Sequence, residues 1–418
     1  MIDYANLPRR NILCIDMKSF FASVEAGRLG LDPMKVCLAV IGDKKIPSSI
    51  VLAASPMMKK KYKIGTGSRL FDIPRNRPDI HIVEAHMSLY LDISVKIGRL
   101  LNEFVPIEAI HPYSSDEFWI CTDGTEKLFG DRWEVARKIQ KAIWERFRIP
   151  SCIGIGPNKF LAKVILDIEA KKKWIAECTY EDVRDKLWPQ PVGKIWGIGS
   201  RMERNLGNLG IRTLGDLART SPASLKKRYG VIGEQLYYHA WGVDLSPAIE
   251  AFDPDFQKGF GHNITLPRPY SGEEVTTVML ELAEEVCRRA RAVKKSGRTV
   301  HFGMRYSQKA GGGGFSCSRS FDEPTNVTMD VYRLCKQLLQ EQYDGSPIRA
   351  VHMSLNNLSP DDGVQLNFFE DQTKRRTLGY TMDQIRAKYG STALLRAQSY
   401  TEAGVTIERS EKIGGHRS

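Results

Sequence analysis

Residues 11–30 read NILCIDMKSFFASVEAGRLG, and the change of texture inside this stretch decides the fold. The run 11–17 is apolar, of strand length, and carries an acid near its end at Asp16. Ser19 then opens a helix-patterned stretch that stops at Gly30. Working outward, SSDEFWICT (114–122) reads as a second strand bearing Asp116 and Glu117. CIGIG (152–156) reads as a third, leading into a helix with Phe160, Leu161, Val164 and Ile165. Helical spacing falls between them, around 87–104 and over 131–147. Strands alternating with helices in this way predict an α/β core domain built on a split βαβ arrangement.

The remaining chain changes character twice. From 176 to 248 it becomes short helical segments with glycine turns, among them Gly197-Ile198-Gly199. Residues 249–255 carry proline and acids without periodicity and read as a linker. Over 256–358 the order is strand, long helix (272–295), strand, the loop QKAGGGG, strand, helix (327–343), strand. That β-α-β-β-α-β pattern predicts a separate small sheet domain. VQLNFFED and a basic, helix-like tail follow.

The 418 residues, 42% apolar and 26% charged, are ordinary globular composition with room for two to four domains. A collagen-like chain, a disordered acidic chain and a small disulfide scaffold are excluded. The eight cysteines are scattered with no CxxC, which predicts buried, reduced thiols and not a zinc site. No apolar run approaches a membrane span and no signal-peptide pattern is present, so the expectation is a cytoplasmic protein without a membrane partner. A net charge of +12 favours a polyanionic partner. Residues 51–100 are basic on balance and 101–150 acidic, as a cation site beside a phosphate track would be.

The acids are the chemistry. Carboxylates from neighbouring strands are a standard way to hold Mg²⁺ ions for phosphoryl transfer. Adjacent residues of a regular strand face opposite ways, so Asp116 and Glu117 converge only where the strand starts or bends, and Ser114-Ser115 allow a bend there. An acid at a strand end is otherwise a solvated turn residue.

DMKSFFASVE (16–25), SSDEFW (114–119) and IGIGPNKFLAK (153–163), in this order, resemble the three signature blocks of the Y-family DNA polymerases, the translesion enzymes of the UmuC and DinB type. The GIG turn and the β-α-β-β-α-β domain match that family's thumb and little finger, so the resemblance covers about 1–360. It implies an α/β (α+β multidomain) right-hand polymerase. The ferredoxin-like palm would be 1–24 and 87–175, the small fingers 25–86, and the helical helix-hairpin-helix thumb 176–248. The little finger would be 256–358, with a tail at 359–418.

Carried over residue by residue, Asp16, Asp116 and Glu117 match the catalytic metal-binding triad, with Met17 adding a backbone carbonyl, for two Mg²⁺ ions (or Mn²⁺). Phe21 matches the steric gate that packs against the sugar of the incoming dNTP, with Phe20 beside it as the better core candidate. The fingers depart from the family's SYEARKFGV pattern. Met57 stands where the Tyr would be and Lys60 in the Arg position, with Lys59 and Lys61 as the neighbouring registers. Lys171, within Lys171-Lys172-Lys173, is the nearest match to a second phosphate lysine. Gly197 and Gly199 would approach a DNA phosphate without reading sequence, and Arg298, Arg305 and Arg319, with Lys309, would contact DNA along the central strands of the little finger. Gln365-Leu366-Asn367-Phe368-Phe369 resembles the peptide that docks bacterial polymerases on the sliding clamp (the β subunit) through Gln365, Leu366, Phe368 and Phe369.

The resemblance thus implies an error-prone, lesion-bypassing DNA polymerase of the bacterial nucleoid. It would act as a monomer on primer–template DNA. Two alternatives remain on sequence alone: a palm-type nucleotide cyclase, since SSDEF is similar to GGDEF, and a non-catalytic, clamp-tethered DNA-binding adaptor.

Overall fold

Every residue of β1 (Ile12–Met17) except Asp16 is buried, because helices cover both faces of the sheet that it centres. The computed structural model describes residues 2–247, 257–362 and 372–417. It divides into two units, one over 1–251 with 416–418 and one over 252–415.

In the first unit β1 leads into α1 (Phe20–Arg28), followed by β2 (Cys37–Ile41), β3 (Val51–Ala54), α2 (Pro56–Tyr62) and β4 (Ile80–Glu84). Then come α3 (Met87–Leu101), β5 (Ile110–Pro112), β6 (Glu117–Cys121), α4 (Glu126–Phe129), α5 (Arg132–Phe147), β7 (Ser151–Gly156), α6 (Lys159–Ile165), α7 (Lys171–Lys173) and β8 (Ile175–Glu177). The main sheet has the order β5-β6-β1-β7-β8. β1 is antiparallel to both β6 and β7, with Asp16 opposite Glu117 on one side and Cys152 on the other. Leu13, Ile15, Phe118, Ile120 and Ile153 face α3 and α5. Ile12, Cys14, Trp119 and Cys152 face α6. That close cover explains the glycines of CIGIG: a methyl at Gly154 would lie 2.1 Å from the Ala162 carbonyl oxygen. A smaller sheet, β3-β2-β4, carries α2 and lies within the stretch expected as fingers.

Four short helices complete this unit: α8 (Ser200–Gly207), α9 (Leu214–Arg219), α10 (Pro222–Tyr229) and α11 (Val231–Ala240). Gly197, just before α8, has φ +90°, a conformation that only glycine adopts without strain.

The second unit holds β9 (Gly259–Tyr270), α12 (Gly272–Ala292), β10 (Lys295–Tyr306), β11 (Gly314–Thr325), α13 (Thr328–Gln342) and β12 (Ile348–Pro360). Its sheet is antiparallel throughout, ordered β11-β10-β12-β9, with α12 and α13 covering one face. This is the β-α-β-β-α-β arrangement expected from the sequence. The tail, read from the sequence as basic and helix-like but without a role, packs on α12. In α14 (Gln372–Tyr389), Asp383 accepts hydrogen bonds from the buried Arg291 and Arg386 closes on Glu284, as does Arg396 beyond the helix. The Glu281 carboxylate accepts from the backbone N–H groups of Val405 and Thr406, at the start of α15 (Thr406–Ser410). The linker 249–255 and the clamp-like peptide with Gln365, Leu366, Phe368 and Phe369 lie outside the described residues. Among the described residues no helix is long and apolar enough to cross a membrane.

Candidate active site

Asp16 sits at the end of β1, where the sheet opens. The chain bends over 114–116 immediately before β6, and the Met17 N–H donates to the Asp116 carbonyl (2.9 Å), which ties that bend to β1. Ser114 Oγ donates to Asp116 Oδ1 (2.7 Å) and sets the carboxylate. Asp16 and Asp116 thereby open into one cleft of about 400 Å³. Its other walls include Phe20, Phe21, Lys59 and Lys171.

Glu117 does not line this cleft. It lies opposite Asp16 and on the same sheet face, but Lys163 of α6 reaches it with an Nζ–Oε2 distance of 2.7 Å, and the Cys14 thiol donates to its other oxygen (3.3 Å). Both partners of this ion pair are buried. Burial alone would lower the Lys163 ammonium, yet Glu117, with Cys14 and Asp167 beside it, outweighs burial and holds the ammonium well above its ordinary value. In this structure, then, two of the three expected carboxylates, Asp16 and Asp116, open into the cleft, and Glu117 is held in its ion pair with Lys163. Among the described residues no group of three His, Cys, Asp or Glu side chains is placed to hold one ion.

Burial pushes the Asp16 carboxyl up to about 6, against the pull of Lys171 and Lys163 and with the push of Asp116 and Glu117. Lys171 Nζ stands 3.7 Å from Asp16 Oδ2, too far for a good hydrogen bond, because it gives its short one to Asp167 (2.7 Å). Desolvation at Asp16 is thus incompletely offset. Lys171 reaches the cleft because the helix after Ile165 widens into a π-helical turn over Leu166–Ala170. That turn takes one more residue than an α-helical turn and rotates the residues beyond it, which is why the position within Lys171-Lys172-Lys173 could not be read from spacing.

The fingers lysine is also corrected. Ser55 caps α2 by accepting from the Met58 N–H, and Met58 is buried against the small sheet. With 3.6 residues per turn, Pro56 and Lys59 then share the face toward the cleft, and Lys60 points into solvent. Lys59 Nζ donates to Ser19 Oγ (3.0 Å), while Lys61 pairs with Asp79 (2.6 Å). Burial lowers the Lys59 ammonium despite the attraction of Asp16. Met57, the residue in the Tyr position, packs with the small-sheet core. Phe20 is buried and Phe21 half-buried, and both reach the cleft wall.

In the second unit, alternation along β11 puts Phe315, Cys317 and Phe321 toward the helices. Arg319 shares that side and forms a two-point pair with Glu341 of α13 (2.9 and 2.8 Å). It is thereby removed from the open face where a DNA contact was expected. Arg305 is exposed on the open face, and Arg298, at a bulge in β10, is exposed and donates to the Phe321 carbonyl (3.1 Å). The open face is otherwise made of short polar side chains around His301 and His352, whose rings lie 5.1 Å apart with Ser316 between them. Sequence reading passed over both histidines, although their alternation with the buried Phe302, Met304, Val351 and Met353 was visible. In the stretch expected as thumb, Gly199 forms the N-cap of α8 and both glycines of the turn are open for a methyl's reach.

Residues 15–167 match the impB/mucB/samB family, residues 257–368 its C-terminal domain, and residues 180–211 the HHH motif of the IMS family. The chain is 48% identical to the putative UV-damage repair protein UvrX of Bacillus subtilis (strain 168) over 100% of both chains. It is 40% identical to DNA polymerase IV 2 of the same organism, covering 97% of this chain and 98% of the relative. Among solved structures, a Y-family DNA polymerase chimera of Dbh and Dpo4 superposes with a TM-score of 0.65 at 24% identity. The match covers 83% of this chain and 98% of the chimera, and it speaks to fold.

Proposed function

The chain belongs to the impB/mucB/samB family, that of the Y-family DNA polymerases, and from that premise we propose that its cleft adds dNTPs to a primer 3′-hydroxyl opposite intact and damaged template bases. It is a DNA-directed DNA polymerase, as relatives that span 97% of its length are named. The observation that carries the mechanistic reading is the opening of Asp16 and Asp116 into a single cleft that three lysines and two phenylalanines also line.

The two carboxylates offer the hard oxygen donors that Mg²⁺ prefers. The largely enclosed Asp16 carboxylate is short of compensating charge, which a cation would provide. Asp16, the Met17 carbonyl and Asp116 would hold two Mg²⁺ (or Mn²⁺) ions, which would supply activation of the 3′-hydroxyl and neutralisation of the departing pyrophosphate. Glu117, on the same sheet face as Asp16, would join the ligand set if Lys163 gave it up. Lys59 and Lys171 hold the triphosphate as point charges. Phe21 walls off the sugar, so that an added 2′-hydroxyl has no room.

The Gly197–Gly199 turn and the exposed Arg298 and Arg305 are the DNA contacts in this reading, and 365–369 is the anchor to the sliding clamp. The protein acts as a cytoplasmic monomer. The test is primer extension with Mg²⁺, comparing the wild type with Asp116→Ala. Template-dependent products that vanish in the variant are expected. DNA binding without synthesis by the wild type would indicate the adaptor instead, and cyclisation of GTP the cyclase.

A further inference from the structure

Phe21 is one face of a stacked pair. Its ring lies on that of Tyr90, with centroids 4.3 Å apart and planes 14° from parallel. One side of Phe21 lines the cleft and the other is covered by this ring. Tyr90, on α3, has no exposed surface. Its hydroxyl donates to Glu25 Oε1 (2.8 Å), and His86 Nδ1 lies 2.7 Å from the same oxygen. Arg28 Nε donates to Glu25 Oε2 (2.8 Å). The Glu25 side chain is fully enclosed. Burial by itself would push its carboxyl up, but the hydrogen bonds from Arg28, His86 and Tyr90 outweigh burial and hold it below the ordinary carboxylate range. Phe21 and Glu25 are four residues apart on α1 and so lie on one helix face, which places the gate ring and the anchor of its backing on the same rigid element.

We propose that Tyr90 is a positioning residue for sugar selection: stacked behind Phe21 and pinned through its hydroxyl to the enclosed Glu25 carboxylate, it stops the Phe21 ring from yielding to a 2′-hydroxyl. This rests on the polymerase reading above. A steric gate discriminates only as far as it resists displacement. An unsupported phenyl ring tilts about its χ angles at small cost, whereas this one must displace a buried tyrosine and break a hydrogen bond to a buried anion to move. An aliphatic residue behind it offers neither a flat contact nor an anchor.

The measurement is single-nucleotide incorporation, with kcat/KM for a dNTP and for the matching rNTP, in the wild type and in Tyr90→Phe, Tyr90→Leu and Tyr90→Met. Phe21→Ala serves as the fully open reference. Tyr90→Leu and Tyr90→Met are expected to lose about tenfold or more of the dNTP-over-rNTP discrimination, through a rise in rNTP kcat/KM, with dNTP kcat/KM held within about threefold. Tyr90→Phe, which keeps the stack and loses the pin, should fall between these and the wild type. A packing role alone would lower both nucleotides together. Unchanged discrimination in Tyr90→Met, which refills the volume without a flat ring, overturns the proposal. Discrimination lost to the same extent in Tyr90→Phe overturns the stacking half of it. A wild-type protein that incorporates no dNTP at all overturns the polymerase reading itself, and this inference with it.

Discussion

Replacing Asp16 with asparagine should stabilise the metal-free protein while ending synthesis. The Asp16 side chain is only 18% exposed, and its carboxyl is raised from the ordinary 3.8 to about 6. The folded state therefore binds this proton more tightly than the unfolded chain. This group's contribution is neutral below about pH 4 and becomes a penalty as pH rises through 4 to 6, fully present above that. The rise corresponds to about 3 kcal/mol at pH 7.5 and to roughly half of that at pH 5. Asparagine resembles the protonated acid and escapes the penalty. Urea unfolding in EDTA, followed by tryptophan fluorescence, isolates the effect, since all seven tryptophans lie between 119 and 241 and report the first unit alone. Asp16→Asn should unfold later than the wild type at pH 7.5, with a smaller margin at pH 5. Millimolar Mg²⁺ should stabilise the wild type and leave the variant unmoved, because a ligand stabilises only the state that binds it. A variant that is no more stable at pH 7.5, or one that gains as much from Mg²⁺ as the wild type does, would refute the reasoning.

Three further outcomes are expected. Lys59→Ala should raise the KM for dNTP about tenfold, the loss of one charge-assisted phosphate contact, and Lys60→Ala should leave it within about twofold; steady-state incorporation kinetics decide, and equal effects would mean that α2 is rotated from the face assigned here. Lys163→Met should destabilise the first unit by about 3–5 kcal/mol, the cost of leaving Glu117 buried without its partner, read in the same urea assay; a loss under about 1 kcal/mol would mean that Glu117 is solvated or already held by something else. Deleting 365–369 should abolish stimulation of primer extension by a bacterial sliding clamp while basal synthesis persists, and stimulation that survives the deletion removes the peptide from the account.

The elements were legible because the signals that specify them are local. Asp16 at the end of an apolar run, the helix pattern after Ser19 and the alternation of 256–358 each emerge as read, apart from shifts of a few residues at their ends. The bend at Ser114-Ser115 that frees Asp116 from strict alternation was also readable, because it follows from strand geometry alone. The side-chain environments were not. Lys59 and Lys60 are neighbours in a run of three lysines, and only the burial of Met58 decides which of them faces the cleft. Arg319 follows the alternation of β11 faithfully, but its side was unknown until α13 was seen to lie over it with Glu341.

By itself, then, the amino-acid sequence determined the principal strands and helices outside 31–86, the acid-bearing strands at the centre of the first unit, and the family. Hydrophobic period, turn residues and short motifs act over a few residues, and folding does not rewrite them. Tertiary structure alone decided which carboxylates meet, which lysine reaches them, and what stands behind Phe21. Those outcomes depend on groups brought together from distant parts of the chain: Lys163 arriving beneath Glu117, a π-helical turn carrying Lys171 round to Asp16, and Tyr90 lying 69 residues beyond the ring that it supports. Hydrogen-bonded ion pairs and ring stacking need contact distances, so they are set by spatial neighbours that no window of sequence contains.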